Sequence, residues 1–317
     1  ISDEKRIIAK KWIEDGYTIL PKFFSDDQID DTWKEYEKLI EEGEIVTEPE
    51  KFGMPGRYLN PHLHSHMIRK LMSDNRLLSN LSFLLGVKTT PFQSIIGHRA
   101  SEQKTHSDSI HMTTYPNGFM IAAWIAMEDI DEDSGPLIYF PKSHRLPYVY
   151  SRDAGISLEE VNSCSDDLYK PYRQKYEPLI EKIIADNKLP EKRFIAQKGD
   201  VLIWHANLLH GGSICKNTSL SRKALVCHYF AENCLKYHDY TGAMANDFSS
   251  VFCEDMNSKN SFLKKLYSRF FPRNNSVSEA IYLSKYPDVK ISIENGLFKN
   301  GKEHFELHGK EEGREWK

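Results

Sequence analysis

From Pro91 onward the chain runs in short alternating apolar stretches cut by turn signals, a pattern that limits the fold to a β-sandwich or barrel. Strands are expected at 91–98, about 104–114, 118–128 and 136–140, with turns at Tyr115-Pro116-Asn117-Gly118 and Asp133-Ser134-Gly135-Pro136. A charged, mostly helical insertion fills roughly 156–188, and strands resume at 192–197, 200–206 and 222–230. Short strands interrupted once by helix predict a mainly β domain with helical decoration.

Helices flank this region. Residues 4–15 carry helical apolar spacing (Ile7, Ile8, Trp12, Ile13) and stop at Asp15-Gly16, and Tyr17-Thr18-Ile19-Leu20-Pro21 follows as a short strand. Ser25 and Gln28 form a capping box that opens a helix to about Gly43. Residues 44–66, rich in Gly, Pro and His, predict a loop, and one helix is expected over 67–85, ending at Gly86. Beyond about 235 the strand pattern fades. Residues 261–271 spell a short basic amphipathic helix stopped by Pro272, Arg273-Asn274-Asn275 is linker-like, and Ser276 with Glu279 caps a run of small helices. The expected division is therefore a domain over 1–260 and a C-terminal helical appendage over 261–317, with 276–317 as its compact part.

At 317 residues the chain has room for one large core and a small accessory unit. A net charge of −4 leaves no basic footprint for nucleic acid or an anionic membrane. No apolar run is long enough to span a bilayer, and the polar start Ile1-Ser2-Asp3-Glu4-Lys5-Arg6 does not suit a secretory leader. The five cysteines (Cys164, Cys215, Cys227, Cys234, Cys253) are odd in number and lack a C-x-x-C pair, so neither a disulfide framework nor a zinc finger is expected and a cytoplasmic setting fits.

His106-Ser107-Asp108 falls in an expected strand, where side chains two apart share a face, so an imidazole and a carboxylate converge. With 13 histidines, about one His-x-Asp is expected by chance, and the motif needs support from elsewhere. A third ligand completes a 2-His-1-carboxylate facial triad, which binds Fe(II) and leaves coordination positions open. His205 and His210 are both candidates; His210 is preferred because Gly211 and Gly212 follow it and allow close backbone approach.

Arg222 opens a strand whose face continues with Ala224, Val226 and His228. A guanidinium there needs an anionic partner, either an internal carboxylate or a bound one such as the C5 carboxylate of 2-oxoglutarate. On strand 118–128 one face is Met120, Ala122, Trp124 and Ala126, which suits either a cavity wall with one large indole or ordinary core packing.

Over about residues 8–235 the chain resembles the phytanoyl-CoA dioxygenase family. The matching features are the entry Asp15-Gly16-Tyr17-Thr18-Ile19-Leu20-Pro21, His106-Ser107-Asp108, Asp133-Ser134-Gly135-Pro136-Leu137 with Pro141-Lys142-Ser143-His144, Gly199-Asp200-Val201 leading to Leu209-His210-Gly211, and Ser221-Arg222. The resemblance implies a double-stranded β-helix of the jelly-roll or cupin kind. It also implies His106, Asp108 and His210 as Fe(II) ligands and Arg222 as the 2-oxoglutarate anchor, with Trp124 beside the cosubstrate and Gln93 as a further contact. The family often has Ser two residues after the distal histidine, where this chain has Gly212 and then Ser213, so no role is carried to Ser213. The tail from Ser276 resembles a helical module appended to some bacterial glycosyltransferases and surface-associated proteins.

The family's chemistry implies hydroxylation of an unactivated C–H bond of a small molecule, with O2 and 2-oxoglutarate consumed and succinate and CO2 released. Retention of Asp108 argues against a halogenase. The competing readings are a catalytically silent jelly roll that binds metal or ligand, and a structural or hydrolytic zinc site on the same ligands. Lys51, Arg57, Arg99 and Lys104 offer cations to an anionic substrate, the insertion 156–188 offers a lid, and His98 and His111 lie near enough to the motif to touch substrate. His62, His64, His66 and His228 are expected in loops, in the core or behind the ligands.

Overall fold

The computed structural model describes residues 2–48, 53–164, 166–243, 282–283, 285–294, 298–310 and 312–314. Lys51, Cys253, the amphipathic helix 261–271, the linker 273–275 and the caps at Ser276 and Glu279 lie outside the described residues.

The N-terminal elements follow their local signals. Helix α1 (Asp3–Asp15) starts where the Ser2 side chain accepts from the Lys5 N–H, and ends where Gly16 takes a left-handed φ of 80° and donates to the Trp12 carbonyl. Strand β1 (Tyr17–Leu20) follows, then α2 (Asp26–Glu41) with both halves of the Ser25–Gln28 capping box formed. Among the described residues of the 44–66 loop, β2 (Tyr58–Leu59) and a 3-10 turn at Pro61–Leu63 are formed. The single helix expected over 67–85 is instead two, α3 (His66–Met72) and α4 (Asn75–Leu85). Asp74 sits between them with its side chain accepting from the N–H groups of Arg76 and Leu77. Asp is a better N-cap than helix interior residue, and the chain breaks there.

The remaining strands are β3 (Thr89–Gly97), β4 (Thr113–Tyr115), β5 (Met120–Ala126), β6 (Leu137–Tyr139), β7 (Lys192–Phe194), β8 (Val201–His205), β9 (His210–Gly212), β10 (Ala224–Ala231) and β11 (Leu235–Tyr237). A six-stranded sheet runs β1-β8-β5-β10-β3-β2, a three-stranded one β7-β6-β9, and β4 pairs with β11. Every pairing is antiparallel.

Alternation on the large sheet sorts its side chains into two cores. Ile121, Ala123 and Ile125 of β5, Val201 and Ile203 of β8 and Leu225, Cys227 and Tyr229 of β10 pack outward against the helices, where Ile29, Tyr36, Ile68, Leu77 and Leu81 are fully buried or nearly so. Met120, Ala122, Trp124 and Ala126 face inward with Leu202, Trp204, Ala224 and Phe230, and meet Leu137, Tyr139 and Phe194 of the small sheet. Burial on both sides explains why β5 is buried along its whole length. A third cluster forms where the 156–188 insertion, with α5 (Leu158–Ser163), a π turn at Tyr172–Tyr176 and α6 (Glu177–Asp186), covers Ile110, Phe140, Leu209 and Tyr240.

The chain divides into two compact units, 1–255 and 256–317. In the second, the described residues form α7 (Pro287–Glu294) and α8 (Gly301–His304), where Tyr282 Oη and His304 Nδ1 hydrogen-bond at 3.0 Å and Arg314 grips Asp288 through two nitrogens at 3.0 and 2.7 Å. Among the described residues no helix is long and apolar enough to cross a membrane.

Candidate metal centre

The segment carrying His106 differs from expectation. The predicted strand 104–114 is not continuous: only Thr113–Tyr115 is strand, His106 makes an isolated antiparallel bridge to His210, and Asp108–Ile110 turns as 3-10 helix. The His106 and His210 backbones exchange two hydrogen bonds, N–H to carbonyl each way at 2.9 Å, which sets the two imidazoles side by side with ring centroids 4.6 Å apart. Asp108 reaches the same point by the turn, its carbonyl accepting from the N–H groups of His111 and Met112 at 2.9 and 2.7 Å. Convergence therefore comes from a bridge plus a turn, and strand alternation contributes none of it.

The approach requires glycine. A Cβ on Gly211 would lie 2.8 Å from the Gln103 carbonyl oxygen, and one on Gly212 would lie 2.9 Å from the Glu102 nitrogen. The segment before His106 runs directly over these two residues.

His106, Asp108 and His210 are all buried, and one donor atom from each lies within 4.8 Å of the others. His106 Nε2 is 3.9 Å and His210 Nε2 3.6 Å from Asp108 Oδ1. Each histidine uses its other nitrogen on the backbone: His106 Nδ1 with the Lys104 carbonyl at 2.8 Å, His210 Nδ1 with the Leu208 carbonyl at 2.9 Å. A carbonyl only accepts, so both Nδ1 atoms carry the proton and both Nε2 atoms present lone pairs to the common point. Asp108 Oδ2 accepts from the indole N–H of Trp204 at 2.7 Å, which leaves Oδ1 facing the histidines.

Burial pushes His106 down to about 4, with His210 adding to the effect, so it is neutral and a competent ligand near neutral pH. Burial alone would raise the Asp108 carboxyl; the neighbouring His210, His228 and His106 and the Trp204 hydrogen bond outweigh it and hold the group below the usual range. Two lone pairs and a carboxylate oxygen, preoriented and shielded from water, fit a divalent first-row metal and match the donor set of an Fe(II) facial triad.

Arg222 lies on the inner face one strand pair away. It is buried, its Nε has no hydrogen-bond partner and no carboxylate forms an ion pair with it among the described residues. Its guanidinium carbon is 5.5 Å from the centre of the Trp124 ring, and burial, aided by Arg57, pushes its pKa down to about 10. Gln93 of β3 stands opposite His228 of β10, which in turn stands opposite Ala122 of β5, and Ala122 opposite Trp204 of β8. Half-buried Gln93 thus begins a row across the inner face that ends at the indole bonded to Asp108.

Other candidates are placed elsewhere. His205 Nδ1 accepts from the Asn207 N–H, and its ring packs on Trp12 and His144, so it takes no part in the triad. Arg57 is paired with Glu48 and Lys104 with Glu181, while Arg99 donates to the Thr218 carbonyl and Cys215 Sγ. Ser213 is tied to the Pro136 carbonyl at 2.7 Å. His98 packs edge-on against Trp33, whereas the His111 ring centre is 6.2 Å from that of His106. His228, expected behind the ligands, has Nε2 at 3.9 Å from Asp108 Oδ2. Trp204 was not singled out by its sequence; the available signal is that a buried indole N–H on a strand demands an acceptor.

A family model described as Phytanoyl-CoA dioxygenase (PhyH) matches residues 12–224. The chain is 28% identical over 142 residues to the peroxisomal phytanoyl-CoA dioxygenase of Mus musculus, covering 44% of this chain and only 36% of that protein's length. It is 25% identical over 221 residues to the ectoine dioxygenase of Bordetella parapertussis, covering 65% of this chain and 68% of the other. Among solved structures it resembles the non-heme alpha-ketoglutarate-dependent epimerase SnoN from nogalamycin biosynthesis, with a TM-score of 0.55 and 17% identity over 73% of this chain and 84% of that one. At that identity the likeness shows the fold, a jelly-roll core with helices around it.

Proposed function

The chain belongs to the phytanoyl-CoA dioxygenase family, and from that premise we propose that it is an Fe(II)- and 2-oxoglutarate-dependent dioxygenase that hydroxylates a C–H bond of a small molecule. The observation that carries this is the buried convergence of His106 Nε2, His210 Nε2 and Asp108 Oδ1 with both Nδ1 protons committed to backbone carbonyls. These three side chains hold the iron. When bound, iron with 2-oxoglutarate supplies the activation of O2 that a protein side chain cannot, with succinate and CO2 as coproducts.

The chain's own residues supply orientation. Arg222, buried with a free Nε, pairs with the C5 carboxylate of 2-oxoglutarate, and the anion offsets a burial that otherwise costs stability. Trp124 stacks its indole against that guanidinium and keeps water from the pair, and Gln93 offers an amide on the same inner face. Trp204 holds Oδ2 of Asp108 so that one oxygen remains for the metal. The odd number of cysteines and their lack of a C-x-x-C pair support a reducing, cytoplasmic setting.

The test is succinate formation from 2-oxoglutarate under air, with Fe(II) added or withheld. Iron-dependent succinate is expected, as is its loss in His210→Ala. Iron binding without succinate would leave a silent metal-binding jelly roll, and zinc in the purified protein with no uptake of O2 would indicate a zinc site.

A further inference from the structure

Two histidines and four tyrosines gather beside the metal centre, and two of their polar atoms are left over. The helical insertion contributes Tyr169, Tyr172 and Tyr176, the turn after Asp108 contributes His111, and the segment after β11 contributes His238 and Tyr240. Most of these groups are occupied. Tyr240 Oη donates to the Leu168 carbonyl at 2.6 Å, and Tyr176 Oη accepts from the Ser107 N–H at 3.3 Å. Tyr172 Oη and His111 Nδ1 are both shut off from solvent and have no hydrogen-bond partner among the described residues.

The rings that carry these two atoms are neighbours. The rings of His111 and Tyr172 lie 5.1 Å apart with an interplanar angle of 35°. Both groups feel the Asp108 carboxylate, and His111 is the ring next to His106 on the side of the insertion. Tyr172 is only 5% exposed, and a buried hydroxyl with no partner destabilises a fold unless a ligand completes it.

The chemistry of that ligand follows from what surrounds the pair. Tyr172 is stacked face to face on Tyr176 at 4.7 Å, and its neighbours cover the His111 ring, so π faces are not on offer to a cation. The charges that act on the two are carboxylates, Asp108 on both and Glu177 on Tyr172, so an anion placed there would be buried among like charges. What the pair presents is one O–H donor and one imidazole nitrogen, which complement a group that both accepts and donates.

Resting on the oxygenase assignment above, we propose that Tyr172 and His111 receive an uncharged hydroxyl group of the substrate and thereby hold the adjacent carbon at the metal. Tyr172 donates to the hydroxyl oxygen, and the hydroxyl donates to His111 Nδ1. The insertion 156–188 is then a specificity element as well as a cover, since it supplies the tyrosine. Substrates of this enzyme then carry an uncharged hydroxyl group beside the carbon that meets the iron.

The experiment uses the full chain loaded with Fe(II) and 2-oxoglutarate. Three probe panels are compared: methyl hexopyranosides and cyclitols, aliphatic monocarboxylates, and quaternary ammonium compounds. Melting is followed without oxygen and succinate formation with it. The expected result is that at least one hydroxyl compound raises Tm and stimulates succinate about tenfold, and that Tyr172→Phe raises KM for that compound about tenfold with a smaller change in kcat. His111→Leu gives the same loss, and Tyr172→Phe without any compound melts no lower than wild type, because the hydroxyl it loses had no partner. Stimulation by the charged panels alone, basal succinate with no response to any panel, or a wild-type KM in Tyr172→Phe overturns the hydroxyl assignment. Absence of any Fe(II)-dependent succinate overturns the oxygenase assignment itself.

Discussion

The Trp204 indole N–H donates to Oδ2 of Asp108 at 2.7 Å, so the carboxylate that faces both histidines is aimed from the neighbouring sheet. Trp204→Phe keeps an aromatic ring at this place and removes the donor, and Trp204→Phe melts lower because the ring is smaller. Outer hydrogen bonds of this kind typically affect metal affinity by about 10–100-fold. Fe(II) or Mn(II) affinity, followed by titration calorimetry without oxygen, is expected to fall in that range, and an unchanged Kd would show that Asp108 needs no such support.

Asp108→Ala is expected to abolish succinate formation linked to substrate. The change removes the only carboxylate of the three ligands and leaves two imidazoles 4.6 Å apart by ring centroid. Metal content measured on the purified variant should fall together with turnover. Substantial retained turnover would exclude this triad.

Arg222 separates stability from function. Its buried guanidinium has a free Nε, so Arg222→Met should leave the cosubstrate-free protein as stable as wild type or more so, by up to about 1–3 kcal/mol, while raising the KM for 2-oxoglutarate by about 100-fold. A planar fork is lost in Arg222→Lys as well, so the lysine variant should recover only part of that affinity. Denaturant melts of the cosubstrate-free variants, set against KM, check both halves. A marked loss of stability with an unaltered KM would mean that Arg222 serves the fold instead.

Acid should destabilise the metal-free protein over a defined window. Burial pushes His205, His228 and His106 each down to about 4, well under the ordinary value near 6.5. Between these values the unfolded chain binds protons that the folded chain refuses, so stability is full above about pH 6.5 and is lost progressively as pH falls toward 4. Urea midpoints in the presence of a chelator, from pH 7.5 to 4, should decline across that interval. His205→Asn, whose Oδ1 can replace the Nδ1 that accepts from Asn207, should flatten part of the decline. A midpoint that rises on acidification would contradict the sign.

Where local chemistry decides, sequence and structure agree: the Ser25 capping box, the Gly16 stop, the inward face of β5 and the 156–188 insertion are all present. Pattern failed where an element is set by a distant partner. Asp74 splits the helix expected over 67–85, and the segment around His106 is a bridge and a turn because its backbone pairs with β9, a hundred residues away in sequence, which no local periodicity records. His106 and Asp108 still converge, by the bridge and the turn in place of strand alternation. Trp204 and Tyr172 stayed hidden for another reason: their significance lies in an acceptor found or a partner lacking, and those are properties of the assembled core.

The two glycines after His210 give the sharpest test of how the centre is built. A methyl group on Gly211 would stand 2.8 Å from the Gln103 carbonyl oxygen and 3.2 Å from the backbone of Thr105, atoms that cannot rotate away as a side chain would. Relief requires the 103–105 segment to lift off β9, and the first bonds to lengthen are the two 2.9 Å hydrogen bonds between the His106 and His210 backbones. Overpacking of this size costs about 1–3 kcal/mol, which a domain of this size survives. The metal site tolerates less, because shifting His106 by an ångström pulls one of three donors off its point. Gly211→Ala is therefore expected to fold, to melt a few degrees lower, and to lose metal affinity by at least about tenfold. Circular dichroism melting and metal titration of the same preparation check this. Wild-type metal affinity in a destabilised Gly211→Ala would show that the bridge does not position His106.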